Sequence, residues 1–437
     1  MINKIKGTRD LGPKEAKLIE YIRREFLDKT KAYNFNWIDT PIMEYAELYK
    51  RSVQGSEIVK KEMYEFLDKS NRNIALRPEG TAGFVRALVE QKWLNNVKVA
   101  KFAYFGPMFR YEQPQKGRYR QFNQAGIEFI SELNPYNDAE VVILANEILT
   151  TLNINFKLKI NSIGTLEERK IYEQALREYL LPFKNQLSSL SQERLSNNVL
   201  RILDDKIDSQ KEFVQKAPKI FDYLNNVSKK YFQEFITILK NNHINFEIDY
   251  SLVRGLDYYD QIVFEFINIA KNSAAQSTLI GGGRYSNLIA QLGGPNVSAC
   301  GWGFGVDRCA DVILEQNNKI NLMEDYLDVL IASTTEENLA ALFSLANELR
   351  KYSIRVEVIK KVEKNKKIFD KANKLQAKYL IFKDSFDTEN IYVAKDLINN
   401  DKIKFAYTVD GYADLLEFLA TNIEILENLE LDEDDDE

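Results

Sequence analysis

Residues 97–130 read VKVAKFAYFGPMFRYEQPQKGRYRQFNQAGIEFI. Aromatic and β-branched residues fill both ends, and a polar stretch with one Pro and one Gly, 113–118, interrupts them. This predicts two strands, 97–112 and 119–130, joined by a polar loop. Alternate side chains of a strand share a face. On the second strand Arg120, Phe122, Gln124 and Glu128 therefore lie together, opposite Gln121, Asn123, Ala125, Ile127 and Phe129. On the first strand Tyr104, Met108, Arg110 and Glu112 share a face in the same way. A core-facing surface does not mix Arg, Glu, Gln and aromatics, because unpaired buried charge is expensive. Two readings of this segment stay open: a ligand-binding sheet face, or a solvated face with surface ion pairs.

Four other segments have the same texture of charge beside glycine. They are Arg77-Pro78-Glu79-Gly80-Thr81, Arg254-Gly255-Leu256-Asp257-Tyr258-Tyr259, Gly281-Gly282-Gly283-Arg284-Tyr285, and the stretch from Gly301 to Arg308, GWGFGVDR. Each alone reads as a plain turn. The last reads as a glycine-punctuated strand entering a helix, with Arg308 in the first turn. A cation there opposes the helix dipole and needs an anionic partner, for which a nucleotide phosphate is suited.

A chain of 437 residues exceeds one ordinary core, so two or three domains are expected. Pro13 suits a first helical position, and Leu18, Ile19, Ile22 and Phe26 follow at helical spacing. Residues 35–42, FNWIDTPI, read as a strand ended by Pro41. From 166 to 248 the sequence turns charged, helical and poor in Gly and Pro, and strand-like, glycine-rich sequence resumes at 249–308. That pattern predicts a helical domain inserted into a mixed α/β one. A third unit starts near Tyr326. There LDVLIAS, a helical 335–352, IRVEVI, a helical 364–377 and KYLIFKD alternate, predicting a small, mostly parallel sheet.

Composition narrows the chemistry. The only histidine is His243, and the two cysteines are Cys300 and Cys309. A disulfide framework, a His-based zinc site and a Ser-His-Asp triad lose their material. No GxxxxGK[ST] motif occurs, which argues against a P-loop enzyme. No run of 18 apolar residues and no apolar segment behind the charged N-terminus occur, so a cytoplasmic protein without membrane association is expected. Residues 421–437 carry nine acidic side chains and no basic one, and without them the formal charge of −6 becomes +3. A near-neutral body can still hold local basic stripes for a phosphate backbone, while the tail reads as a solvated, disordered end.

Together these segments resemble the histidyl-tRNA synthetases among class II aminoacyl-tRNA synthetases. GPMFRYEQPQKGRYRQFNQAGIE resembles motif 2, GWGFGVDR motif 3, and the stretch through Thr40-Pro41-Ile42-Met43-Glu44 motif 1. LVRGLDYY and IGGGRYSNL resemble the two peptides peculiar to the family, and Lys6-Gly7-Thr8-Arg9-Asp10 its usual opening. The resemblance implies an α/β (α+β) multidomain chain. Its parts would be an antiparallel catalytic sheet with flanking helices (1–165 and 249–322), a helical insertion (166–248) and a C-terminal α/β anticodon-binding domain (327–420). It implies a ligase that activates histidine with ATP and Mg²⁺ and transfers it to tRNA(His). Motif 1 implies a homodimer.

The resemblance also implies roles. Glu79, Thr81, Gln124, Glu128, Arg254, Tyr258, Tyr259 and Tyr285 would bind histidine, with Glu128 and the Tyr259 hydroxyl on the imidazole. Arg110, Glu112, Phe122 and Arg308 would bind ATP, and Gln115 and Arg120 the tRNA acceptor end. Arg254, Arg110, Arg308 and Gln124 form the catalytic set, with Arg254 on the α-phosphate. The protein itself would ligate no metal. An isolated Arg254 would instead pair with Asp257 or Glu265 to order its loop. Tyr111 and Gln113 depart from residues common in the family, as does Gln376 in the C-terminal unit. A related but non-catalytic alternative is the synthetase-like regulatory subunit of ATP phosphoribosyltransferase. That subunit lacks the C-terminal domain and the intact arginine peptide. LVRGLDYY also argues against a prolyl or threonyl enzyme.

Overall fold

The computed structural model describes residues 2–52, 58–113, 117–254, 258–269, 278–315, 327–383 and 390–423. Gln115, Gly255, Asp257 and the acidic run 424–437 lie outside them. The chain divides into two compact units, 1–320 and 321–437.

The first unit opens with helix α1 (Pro13–Ala32), Pro13 at its first position and Leu18, Ile19, Ile22 and Phe26 buried along one stripe. Strand β1 (Asn36–Trp37) follows, then β2 (Met43–Tyr45) and α2 (Ala46–Ser52). The single strand expected over 35–42 is cut to two residues. Pro41 has no N–H for the ladder, and Arg77 captures the carbonyls on either side of it, its side chain donating to Thr40 O at 2.6 Å and its backbone N–H donating to Ile42 O at 2.9 Å. Strands β3 (Glu65–Leu67) and β4 (Asn73–Leu76) join β2 in a separate three-stranded sheet, and α3 (Thr81–Glu90) follows.

Strands β5 (Lys101–Phe109) and β6 (Gln121–Ile130) form the antiparallel pair expected from 97–130. Next come α4 (Pro135–Thr151) and β7 (Phe156–Ser162). From 166 to 241 the structure is helical: α5 (Leu166–Leu180), α6 (Ser189–Asn197), α7 (Glu212–Gln215) and α8 (Asn226–Asn241), joined by loops and short 3-10 turns. A capping box, Thr165 with Glu168, starts α5. The stacked rings of Phe183 and Phe213, 4.6 Å apart, hold the helical stretch together locally. The chain then returns through β8 (Glu247–Ile248), β9 (Asp260–Asn268), β10 (Thr278–Tyr285), α9 (Leu288–Gln291), β11 (Ala299–Gly305) and α10 (Val306–Glu315).

The main sheet has the order β1-β5-β6-β11-β10-β9-β7-β8. Its interior pairings are all antiparallel, and only the two-residue contacts β1–β5 and β7–β8 at the edges are parallel. Helices α1, α4 and α10 pack against the sheet and α1 touches the other two. Trp302 of β11 is buried there, its indole N–H donating to Val141 O at 2.9 Å and its ring edge-on to Phe26. One charged pair lies in this layer. Arg284 of β10 and Asp138 of α4 are both 0% exposed and meet at 2.6 Å. Ser131, Ser298 and the Tyr231 hydroxyl complete their hydrogen bonds, the condition under which a buried pair is tolerable.

The second unit has its own core and a five-stranded sheet, order β13-β12-β14-β15-β16. Its elements are β12 (Val329–Ser333), α11 (Leu339–Lys351), β13 (Val356–Val358), α12 (Asn365–Lys374), β14 (Tyr379–Lys383), β15 (Ile391–Asp396), β16 (Lys402–Ala406) and α13 (Val409–Ala420). The β-α-β-α-β run makes two parallel pairings, but β14–β15 and β15–β16 are antiparallel, so the sheet is mixed rather than mostly parallel. Short connectors explain this, since a parallel pair needs a crossover of a dozen residues or more.

Candidate active site

The face of the main sheet that carries Gln124 and Glu128 is floored by glycine. Gly303 pairs with Gly126 on one side and Gly281 on the other, and Gly301 pairs with Glu128 and Gly283. The missing side chains leave room for long polar groups to lie against the strands. A Cβ on Gly281 would collide with the Arg254 guanidinium, and one on Gly303 would come within 2.6 Å of the Gln124 amide nitrogen.

Glu128 sits at one end of this face, 1% exposed. It accepts hydrogen bonds from Thr81 Oγ1 at 2.8 Å, Tyr285 OH at 2.7 Å and Tyr104 OH at 3.4 Å. Burial raises its pKa to about 8, helped by the nearby Glu79 and opposed by those three hydroxyls. Tyr258 packs on Tyr259 and Tyr285, with ring centroids at 4.6 and 5.6 Å, and closes the box. Glu79, also buried, accepts the backbone N–H groups of Thr81 and Ala82 at 2.7 and 2.8 Å, so it holds the start of α3. Its pKa is raised by burial, against the pull of those N–H groups and of Arg110.

Further along β6 the face opens into a cleft of about 410 Å³. Arg110, Glu112, Phe122, Gln124, Arg254 and Arg308 all line it. Arg110 donates to Pro78 O at 2.8 Å and lies 5.3 Å from the Phe122 ring centroid. Arg308 donates to Thr278 O. Its pKa is lowered, first by burial and then by repulsion from Arg110 and Arg118. Crowding of guanidiniums in a dry cleft is unfavourable until an anion arrives, so the cleft selects a polyanion. Among the described residues, the buried Gln124 Oε1 and Arg254 Nε of this cleft have no hydrogen-bond partner. They offer one acceptor and one donor to a ligand.

Arg254 is paired with Glu265 and sits 5.8 Å from the Tyr259 ring centroid. Glu265 is thus the partner that the loop-ordering alternative named. Burial lowers the Arg254 pKa, and Glu265 and the two tyrosines more than restore it. Behind Tyr259, Arg169 of α5 donates to its backbone carbonyl at 2.7 Å, so the helical stretch helps hold the tyrosine pair.

The remaining sequence-derived residues fall less centrally. Tyr285, also among the expected histidine-binding residues, serves by donating to Glu128 at 2.7 Å. Arg120 lies 3.9 Å from the Tyr111 ring centroid and donates to Glu112 O, outside the cleft lining. Tyr104, Glu265 and Thr278 belong to the site, and the sequence reading assigned them no binding role. A signal existed for two of them. Tyr104 has the strand parity of Arg110, and Glu265 pairs with Gly281 across β9 and β10.

Comparisons place this geometry among known proteins. A family profile described as histidyl-tRNA synthetase matches residues 7–309. The histidine–tRNA ligase of Mycoplasmopsis pulmonis is 45% identical over 402 residues, covering 92% of this chain and 94% of the relative. The crystal structure of apo Staphylococcus aureus histidyl-tRNA synthetase superposes with a TM-score of 0.79 at 32% identity, covering 96% of this chain and all of that one. A Bacillus halodurans structure described as an ATP phosphoribosyltransferase regulatory subunit/histidyl-tRNA synthetase shares the fold, with a TM-score of 0.62 at 19% identity, covering 87% of this chain and 98% of that one.

Proposed function

The chain belongs to the histidyl-tRNA synthetase family, and from that premise we propose how its residues divide the work of charging tRNA(His). The enzyme activates histidine with ATP and transfers it to the tRNA. One observation carries the division: a closed carboxylate box and an arginine-lined cleft lie along a single face of β6, with Arg254 and Gln124 beside the cleft.

Histidine enters the box with its imidazole against Glu128, whose hydroxyl donors from Thr81 and Tyr285 are already in place. Tyr258 and Tyr259 wall the ring. The buried, unpaired Gln124 oxygen accepts from the α-ammonium group, which Glu79 attracts at longer range. ATP fills the cleft, its base over Phe122 and beside Glu112, its phosphates between Arg110 and Arg308. The histidine carboxylate then attacks the α-phosphorus in line. The bond to the bridging oxygen breaks and pyrophosphate leaves with that electron pair. Arg254 faces the charge that grows on the α-phosphate, an electrostatic contribution set before the reaction starts.

Magnesium fits this site only in a limited way. The cleft carboxylates Glu112, Glu265 and Asp307 are engaged by Arg118, Arg254 and Arg9, so a metal would be held mainly by phosphate oxygens. It would supply charge neutralisation on the phosphates. In the transfer step the terminal ribose hydroxyl of the tRNA attacks the carbonyl carbon and AMP leaves. Arg120 and Gln115 would guide that end, and the second unit would bind the anticodon arm. We place the reaction in the cytoplasm, where charged tRNA is used.

ATP–pyrophosphate exchange with each of the twenty amino acids tests the assignment. Exchange supported by histidine alone is expected. Exchange with a different amino acid, or none with histidine, would overturn it.

A further inference from the structure

The N-terminal segment is tied into the nucleotide cleft by one side chain. Arg9 Nη2 donates to Asp307 Oδ1 at 2.5 Å, and its Nη1 donates to Asp311 Oδ1 at 3.0 Å and to the Tyr119 hydroxyl at 3.2 Å. The guanidinium carbon also lies 4.1 Å from the Tyr119 ring centroid. Tyr119 in turn donates to Asp311 Oδ2 at 2.8 Å, and the backbone N–H of Asn123 donates to the second oxygen of Asp307. Two residues earlier, Gly7 O accepts the backbone N–H of Arg120 at 2.8 Å. All three charged side chains are largely buried, so solvent screens them little.

Asp307 and Asp311 are four residues apart on α10, where like charges face each other and repel. Asp307 and Tyr119 also line the cleft itself. Left uncompensated, Asp307 in the cleft wall and Asp311 one turn further along α10 would push back an incoming triphosphate. The groups the node joins flank residues of the nucleotide site, with Phe122 on β6 and Arg308 between the two aspartates on α10.

Resting on the synthetase reading above, we propose that Arg9 is a positioning residue for the nucleotide half of the reaction. It fixes β6 against α10, so that Phe122 and Arg308 keep their spacing, and it neutralises Asp307 at the cleft wall and Asp311 beside it. Misplacing groups at a reacting centre by a small distance costs up to about 10²-fold.

The test uses the full chain and three variants: Arg9→Gln, Arg9→Lys, and Arg9→Gln combined with Asp311→Asn. Exchange kinetics are measured with ATP and histidine titrated separately, beside thermal unfolding. ATP affinity is also measured by calorimetry without histidine, which needs no turnover. Arg9→Gln should raise the KM and Kd for ATP by roughly tenfold to a hundredfold and leave the KM for histidine unchanged. Arg9→Lys keeps the charge without the planar fork and should lie between Arg9→Gln and the unmodified chain. The double variant, with one repelling carboxylate removed, should regain part of the ATP affinity. Unchanged ATP affinity in Arg9→Gln, equal losses for both substrates, or a double variant no better than the single one would each overturn the proposal. If Arg9→Gln fails to fold, the same split in Arg9→Lys decides. Lack of exchange in the unmodified chain would instead sink the synthetase reading, and the calorimetric comparison would still judge Arg9.

Discussion

Arg254 has two connections at once. One guanidinium nitrogen meets Glu265, while Nε is buried without a partner. The first orders a loop and the second awaits a ligand, and kinetics separate them. Arg254→Ala is expected to slow adenylate formation by about 10²–10³, with transfer from preformed histidyl-adenylate less affected. Equal losses in rapid-quench measurements of the two steps would mean that Arg254 only orders the loop. Glu128 supplies a pH signature. Its carboxyl, held by burial at a pKa of about 8, keeps its proton at neutral pH, whereas free imidazole loses one near ~6.5. A complex that holds one proton between ring and carboxyl then forms without net proton exchange between those two values. Below that window histidine must release a proton on binding, and above it the pair must take one up. Histidine affinity should therefore peak between them, and Glu128→Gln should remove the fall on the alkaline side. A pH-independent affinity by calorimetry would contradict this proton count.

At the scale of elements, the catalytic face depends on what the strands omit. Gly281 is the cleanest test, because the atoms nearest an added Cβ all belong to the flexible Arg254 side chain. Gly281→Ala is expected to reproduce most of the exchange defect of Arg254→Ala while the melting temperature stays near that of the unmodified chain. A large drop in melting temperature with normal exchange would show that the glycine serves the sheet instead. The pairing of β5 with β6 and the face shared by Phe122, Gln124 and Glu128 were legible from side-chain alternation alone. The shortened strand at 36–37 was not, because a distant Arg77 decides it. Nor was the antiparallel half of the second sheet, since 391–406 carries no repeat of the β-α pattern that marked the earlier strands.

For the whole molecule, one face of the small β2-β4-β3 sheet leaves an apolar surface in water, with Met43 62%, Tyr45 57% and Phe66 42% exposed. An apolar cluster of that kind fits a subunit contact, and it lies in the region that resembles motif 1. A homodimer by light scattering at micromolar concentration is expected, and Met43→Glu with Phe66→Glu should shift it to a monomer. A monomeric unmodified chain would refute the assignment. The sequence by itself determined the family, the β5–β6 pair, the helical stretch and the shared face of Phe122, Gln124 and Glu128. Each of these is written in local periodicity or in short motifs whose residue types are dictated by their chemistry. Only the tertiary structure decided that Tyr285 bonds Glu128, that Glu265 holds Arg254, and that Arg9 reaches Asp307 and Asp311. Those contacts join residues from 11 to 302 positions apart in the chain. Which of several equivalent hydroxyls, carboxylates or guanidiniums meet is set by strand register and helix packing, which no local pattern encodes.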